Sequence, residues 1–100
     1  MVKFKRIEIT LHGESTKSSI RFEYEDGSYI HPLYHAGDFI TFPLYMGRHT
    51  SYDILHMLLS ITDEQLEPLV KRAIIDSNAR SILQALYNVR KTGRLPEWIE

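Results

Sequence analysis

The chain contains no cysteine. That excludes a disulfide framework, every thiolate metal site and every cysteine nucleophile. A secreted domain of this size commonly relies on disulfides, so their lack favours a reducing compartment, and the expected location is the cytoplasm. Long hydrophobic runs are missing too. The longest, around Leu58, is a few residues, against the roughly 20 that a membrane span needs. Met1 to Arg6 are charged and hold no apolar stretch, which speaks against a signal peptide. Neither sign of charge is in excess: 12 Lys and Arg stand against 13 Asp and Glu, a formal net charge of −1. The balance holds in both halves, with six basic and seven acidic residues over 1–61 and six of each over 62–100. Such a chain projects no strong field toward nucleic acid or an anionic membrane. The five glycines are scattered singly, so no phosphate-cradling loop is present, and there is no Gly-x-Ser-x-Gly elbow.

What the sequence does hold is core material. Its hydrophobic fraction is 43% with eleven aromatics in 100 residues, enough apolar surface to offset the entropy of ordering. The length suits one domain. The expected fold is α+β: an N-terminal antiparallel β-meander of three to five strands, then three C-terminal helices packed on one face. One domain over 1–100 is expected, strand-rich over 1–49 and helical over 50–100.

Alternation at Ile7, Ile9 and Leu11 predicts a half-buried strand within 3–12. Phe4 has the opposite parity, which predicts a bulge near Lys5 and Arg6. Ile20, Phe22 and Tyr24 alternate with Arg21, Glu23 and Glu25, giving the cleanest strand. Asp26-Gly27 signals a hairpin, with a return strand from Ser28 to about His31. Between 32 and 49 the triplet Pro32-Leu33-Tyr34 recurs as Pro43-Leu44-Tyr45, and Asp38–Phe42 between them reads as a strand.

From Thr50 the period changes to that of a helix. Ile54, Leu55, Leu58 and Leu59 mark one face, capped by Thr50 or Ser51. Thr62-Asp63-Glu64-Gln65 is a capping box, so a new helix is expected to start there. Pro68 suits a first turn, so the main second helix is expected from Glu67 or Pro68 to about Ile75, burying Leu66, Leu69, Val70, Ala73 and Ile74. Asp76 or Ser77 caps a third helix through Ile82, Leu83, Leu86 and Val89, closed by Gly93.

Three constellations could carry function. The middle segment is rich in tyrosine, a stiff and amphipathic interface anchor. Tyr29, Tyr34, His35, Tyr45, Arg48 and Tyr52 form the expected contact surface for a protein partner, with Arg21 on its rim. Helices two and three could instead form a helix-turn-helix over 67–92, reading bases through Asn78, Arg80, Ser81 and Gln84, with Lys71, Arg72, Arg90, Lys91 and Arg94 on phosphates. Third, His49, Asp53 and His56 have i, i+4, i+7 spacing and could hold a metal for a small metal-dependent enzyme.

The first reading is preferred. It is a non-enzymatic protein-binding module without cofactor, acting as a small inhibitor, adaptor or regulator of the type that phage and mobile elements use against host proteins. A homodimer is the second partner option; nucleic acid is not favoured, and no membrane partner is expected.

Overall fold

In a computed structural model, residues 3–14, 16–34, 40–41 and 50–95 are described. The chain runs β1 (Phe4–Leu11), β2 (Ser18–Tyr24), β3 (Tyr29–Ile30), β4 (Leu33–Tyr34), β5 (Ile40–Thr41), α1 (Ser51–Ser60), α2 (Asp63–Arg72) and α3 (Ser77–Thr92). β1, β2 and β3 form an antiparallel meander in that order, and β4 pairs with β5 in a separate two-stranded sheet. The expected α+β class, sheet first and three helices after, is what the chain adopts.

The strand signals translate directly. Ile7 pairs with Phe22 and Ile9 with Ile20, and the register slips between Phe4 and Arg6, where the parity change predicted a bulge. The β2–β3 connection is a three-residue loop. Tyr24 N–H donates to Ser28 O at 2.8 Å, Gly27 N–H donates to Tyr24 O at 3.0 Å, and Gly27 has φ +87°. Only glycine adopts that conformation without strain. Asp26 Oδ1 accepts from Ser28 N–H and from its hydroxyl, bracing the loop from inside. Of the expected Asp38–Phe42 strand, Ile40–Thr41 is described as β5; the remainder lies outside the described residues, as do Pro43–Tyr45.

Both capping boxes close. Thr50 Oγ1 accepts from Asp53 N–H at 3.1 Å while Asp53 Oδ2 accepts from Thr50 N–H at 3.2 Å. Thr62 and Gln65 repeat the exchange at 3.1 and 3.0 Å. Each box satisfies two otherwise orphaned donors. At the other end of α3, Gly93 takes φ +70° and donates to Val89 O.

The helical expectations need three corrections. α2 starts at the capping box and not at Glu67 or Pro68. Pro68 sits inside it, exposed, where water can satisfy the Glu64 carbonyl that loses its donor. α2 also ends at Arg72, short of Ile75, because Asp76 opens α3 directly after a turn. Val70, on the uncovered side of α2, and Ile74, in the turn beyond it, are not buried: they are 42% and 78% exposed. In α1 the covered face runs through Ile54, Met57 and Leu58, while Leu59 is exposed.

The core lies between the inner face of the meander and the helices. Ile7, Ile20, Phe22, Tyr24 and Ile30 come from the sheet; Ile54, Leu58, Leu66, Leu69, Ile82, Leu86 and Val89 come from the helices. α2 packs on β1, α3 on β2 and on α2, and α1 on α3. Complete burial of a Leu, Ile or Phe contributes roughly 1.5–3 kcal/mol. Phe22, Ile30, Ile54, Leu69 and Ile82 each reach 0% exposure.

One polar group is buried just as fully. Asp76, the N-cap of α3, accepts at Oδ2 from the Ser18 hydroxyl and from Arg72 Nε (3.0 Å), and at Oδ1 from Asn78 N–H (2.9 Å). Arg72 Nη2 continues to Thr16 O at 2.8 Å. Burial pushes the Asp76 carboxyl up, but the bonds from Ser18, Arg72, Asn78 and Ala79 outweigh it and hold it below its ordinary value. The carboxylate therefore ties β2, the end of α2 and the start of α3 together.

Candidate protein-binding surfaces

The outer face of the meander carries no helix among the described residues. Alternation places Arg6, Glu8, Thr10, Ser19, Arg21, Glu23, Tyr29 and His31 on it. Charges of opposite sign meet across the strands: Glu8 pairs with Arg21, and Arg6 with Glu23. Arg21 Nη2 donates to Glu8 Oε2 at 2.9 Å, and Arg6 Nε lies 3.3 Å from Glu23 Oε2. Lys5, at the bulge, adds a second cation 3.7 Å from Glu23. Glu23 is covered to 9% exposure despite its outward position. The hydrogen bond from Arg21 holds the Glu8 carboxyl below the usual carboxylate range.

Within this ladder, Arg21 and Tyr29 form a stacked pair. Arg21 Cζ lies 4.5 Å from the Tyr29 ring centroid, and the His31 ring meets Tyr29 edge-on at 5.2 Å. Tyr29 pairs with Glu23, so Arg21 reaches it on the diagonal of the antiparallel ladder. Glu8 fixes the guanidinium from one side and the ring from the other. Tyr29 stays 40% exposed. A cation over an aromatic face contributes about 0.5–1 kcal/mol at an exposed site. It also presents a stacked Tyr and Arg to solvent, and both residue types are enriched at interface hot spots.

Of the other residues expected at this surface, Tyr52 is 65% exposed on the first turn of α1, its ring 6.2 Å from that of His56. Tyr34 lies in β4, its backbone opposite Ile40. His35, Tyr45 and Arg48 lie outside the described residues.

Of the helix-turn-helix candidates, Asn78 and Arg80 make bonds within the fold. Asn78 Nδ2 is 3.4 Å from Ser18 O, so the start of α3 lies against β2. Arg80 Nε donates to Ala73 O at 3.1 Å, closing the end of α2. Ser81 is half-buried, and Gln84 is exposed beside Asn88. Three of the expected phosphate contacts already have partners: Lys71 with Glu67, Arg72 with Asp76, and Arg90 with Asp63 and the Ile61 carbonyl.

Of the metal candidates, Asp53 spends its carboxylate on the α1 capping box, His56 is exposed one turn on, and His49 lies outside the described residues. Among the described residues no group of three His, Asp or Glu could hold a metal ion. His12 Nε2 and Ser19 Oγ approach to 2.6 Å at the loop end of the β1–β2 hairpin, where both are exposed to solvent.

A second surface was not expected. Ile9 and Leu11 of β1 face Pro68, Lys71, Arg72 and Ile75 across a shallow groove of about 410 Å³. Leu11 is 60% and Ile75 57% exposed. Ile75, expected only as the approximate end of α2, is an apolar position beyond the stripe that Leu66, Leu69 and Ala73 fill. No described helix is long and apolar enough to cross a membrane. Comparison with family models, with curated proteins and with solved structures gives no match for the chain.

Proposed function

We propose that the protein is a non-enzymatic protein-binding module, acting as a small inhibitor, adaptor or regulator. Its contact surface lies on the open face of the meander at Tyr29, Arg21 and His31, and exposed Tyr52 is a further contact residue. The observation that carries the reading is the Arg21–Tyr29 stack, locked by Glu8 and left facing solvent. Ordering a long Arg side chain in advance removes part of the entropy that binding would otherwise cost. The partner that fits offers an aromatic or apolar side chain for the free edge of Tyr29 and acceptors for Arg21. The lack of cysteine agrees with a reducing cytoplasmic setting. The test is affinity capture with the wild-type chain, Tyr29→Ala and Arg21→Ala. A partner retained by the wild type and lost from both variants supports the reading. Equal retention by all three overturns it.

A further inference from the structure

β1 is an edge strand of eight residues, and its outer edge pairs with no described strand. Which residues offer main-chain groups there follows from the alternation of an antiparallel ladder. Tyr24 N–H points to β3, where it bonds Ser28 O, and Ile20 O points the same way, 3.3 Å from His31 Nδ1. Glu25 N–H points to β1, where it bonds Lys3 O. Odd positions of β2 therefore bond to β1, and their partners Arg6, Glu8 and Thr10 turn their main chain inward. Ile7, Ile9 and Leu11 turn theirs outward to the free edge. The same three side chains face the helix side, where Ile9 and Leu11 line the groove beside α2.

We infer that this edge pairs with the same edge of a second copy of the chain, antiparallel about a two-fold axis at Ile9. Phase, charge and the length of strand paired single out that register: an axis at Thr10 also opposes odd positions, but within β1 it pairs only Ile9 with Leu11 and sets the turn residue Gly13 opposite Ile7. Only registers that oppose odd positions to odd positions let the free N–H and C=O groups meet. An axis at Ile7 brings the bulge at Phe4–Arg6 into the pairing. An axis at Glu8 sets two carboxylates directly opposite one another, which is destabilising. An axis at Ile9 opposes Ile9 to Ile9, Ile7 to Leu11, Glu8 to Thr10 and Arg6 to His12, with no acidic residue facing another. It forms about six main-chain hydrogen bonds and covers Leu11, the most exposed apolar residue of the strand. Each copy extends the apolar floor of the other's groove, so Ile75 gains a neighbour as well. The pairing leaves the open face with Arg21 and Tyr29 uncovered. It is thus independent of the function proposed above: a monomer that still captures a partner through Tyr29 would refute the dimer alone.

Sedimentation equilibrium on the full chain, with cysteine cross-linking, tests it. The expected mass rises with concentration from 11.7 kDa to twice that value. Leu11→Lys, at a solvent-exposed position, is expected to weaken association about tenfold or more while keeping the wild-type circular dichroism. Because the chain has no native thiol, oxidising a mixture of Glu8→Cys and Thr10→Cys chains reads the register. Disulfide between positions 8 and 10 is expected to exceed that between 8 and 8. A monomer at every concentration, a dimer indifferent to Leu11→Lys, or dominant 8–8 cross-linking would overturn the inference.

Discussion

The Ser18 hydroxyl donates to Asp76 Oδ2 across 58 positions of sequence, joining the first residue of β2 to the N-cap of α3. Both groups are buried, Asp76 completely, and Arg72 completes the set. Removing the carboxylate strands the Arg72 guanidinium and leaves the first amides of α3 without an acceptor. Asp76→Ala is expected to cost about 3–5 kcal/mol, measured by urea denaturation. Ser18→Ala, which removes one neutral donor, should cost about 1 kcal/mol.

The same carboxylate contributes to the acid limb of stability. Its folded value lies below the ordinary 3.8, so the unfolded chain binds the proton first as pH falls. The contribution is complete above pH 3.8 and is lost as pH drops through the lower folded value. Asp76→Asn removes this dependence, so its denaturation midpoint should vary less than the wild type's below pH 4.

At the alkaline end, Tyr24 governs. Burial, then the nearby Asp53 and Asp26, push its phenol up to about 12 from 10.0. A raised phenol keeps its proton in the folded state, so the contribution is complete below pH 10 and lost as pH rises toward 12. Absorbance titration at 295 nm should show one tyrosine ionising only together with unfolding. That late component should be absent in Tyr24→Phe.

Adjacent residues of α2 should differ sharply. Leu69 is wholly buried and Val70 is 42% exposed. Leu69→Ala is expected to cost about 2–5 kcal/mol, and Val70→Ala within about 0.5 kcal/mol of nothing. Thermal melts of the two variants check this.

Local signals carried most of the fold into the sequence. The bulge at Lys5, the strand Ile20–Phe22–Tyr24, the N-cap at Thr50, the Thr62–Gln65 capping box and Gly93 are each set by residues within a few positions of one another, and all were legible. Misreadings arose where two readings share one local pattern. Val70 and Ile74 continue the apolar periodicity of α2, but periodicity cannot say which of two adjoining stripes the rest of the chain covers. Pro68 breaks a helix only if its lost hydrogen bond is buried, and exposure depends on the fold. The Arg21–Tyr29 stack needs a diagonal across a three-residue loop, and the loop length decides the diagonal. The Ser18–Asp76 bond and the groove between Leu11 and Ile75 join residues far apart in sequence. Nothing near either partner announces the other.

The central claim is that the face built on Arg21 and Tyr29 meets another protein. Photo-crosslinking addresses it most directly, with p-benzoylphenylalanine in place of Tyr29 and, as a control, in place of Lys91 near the end of α3. In extracts of cells that express the protein, position 29 is expected to yield a discrete protein adduct. That adduct should disappear when Arg21→Ala is added, and position 91 should yield none. No adduct from position 29, or the same adducts from both positions, would contradict the account.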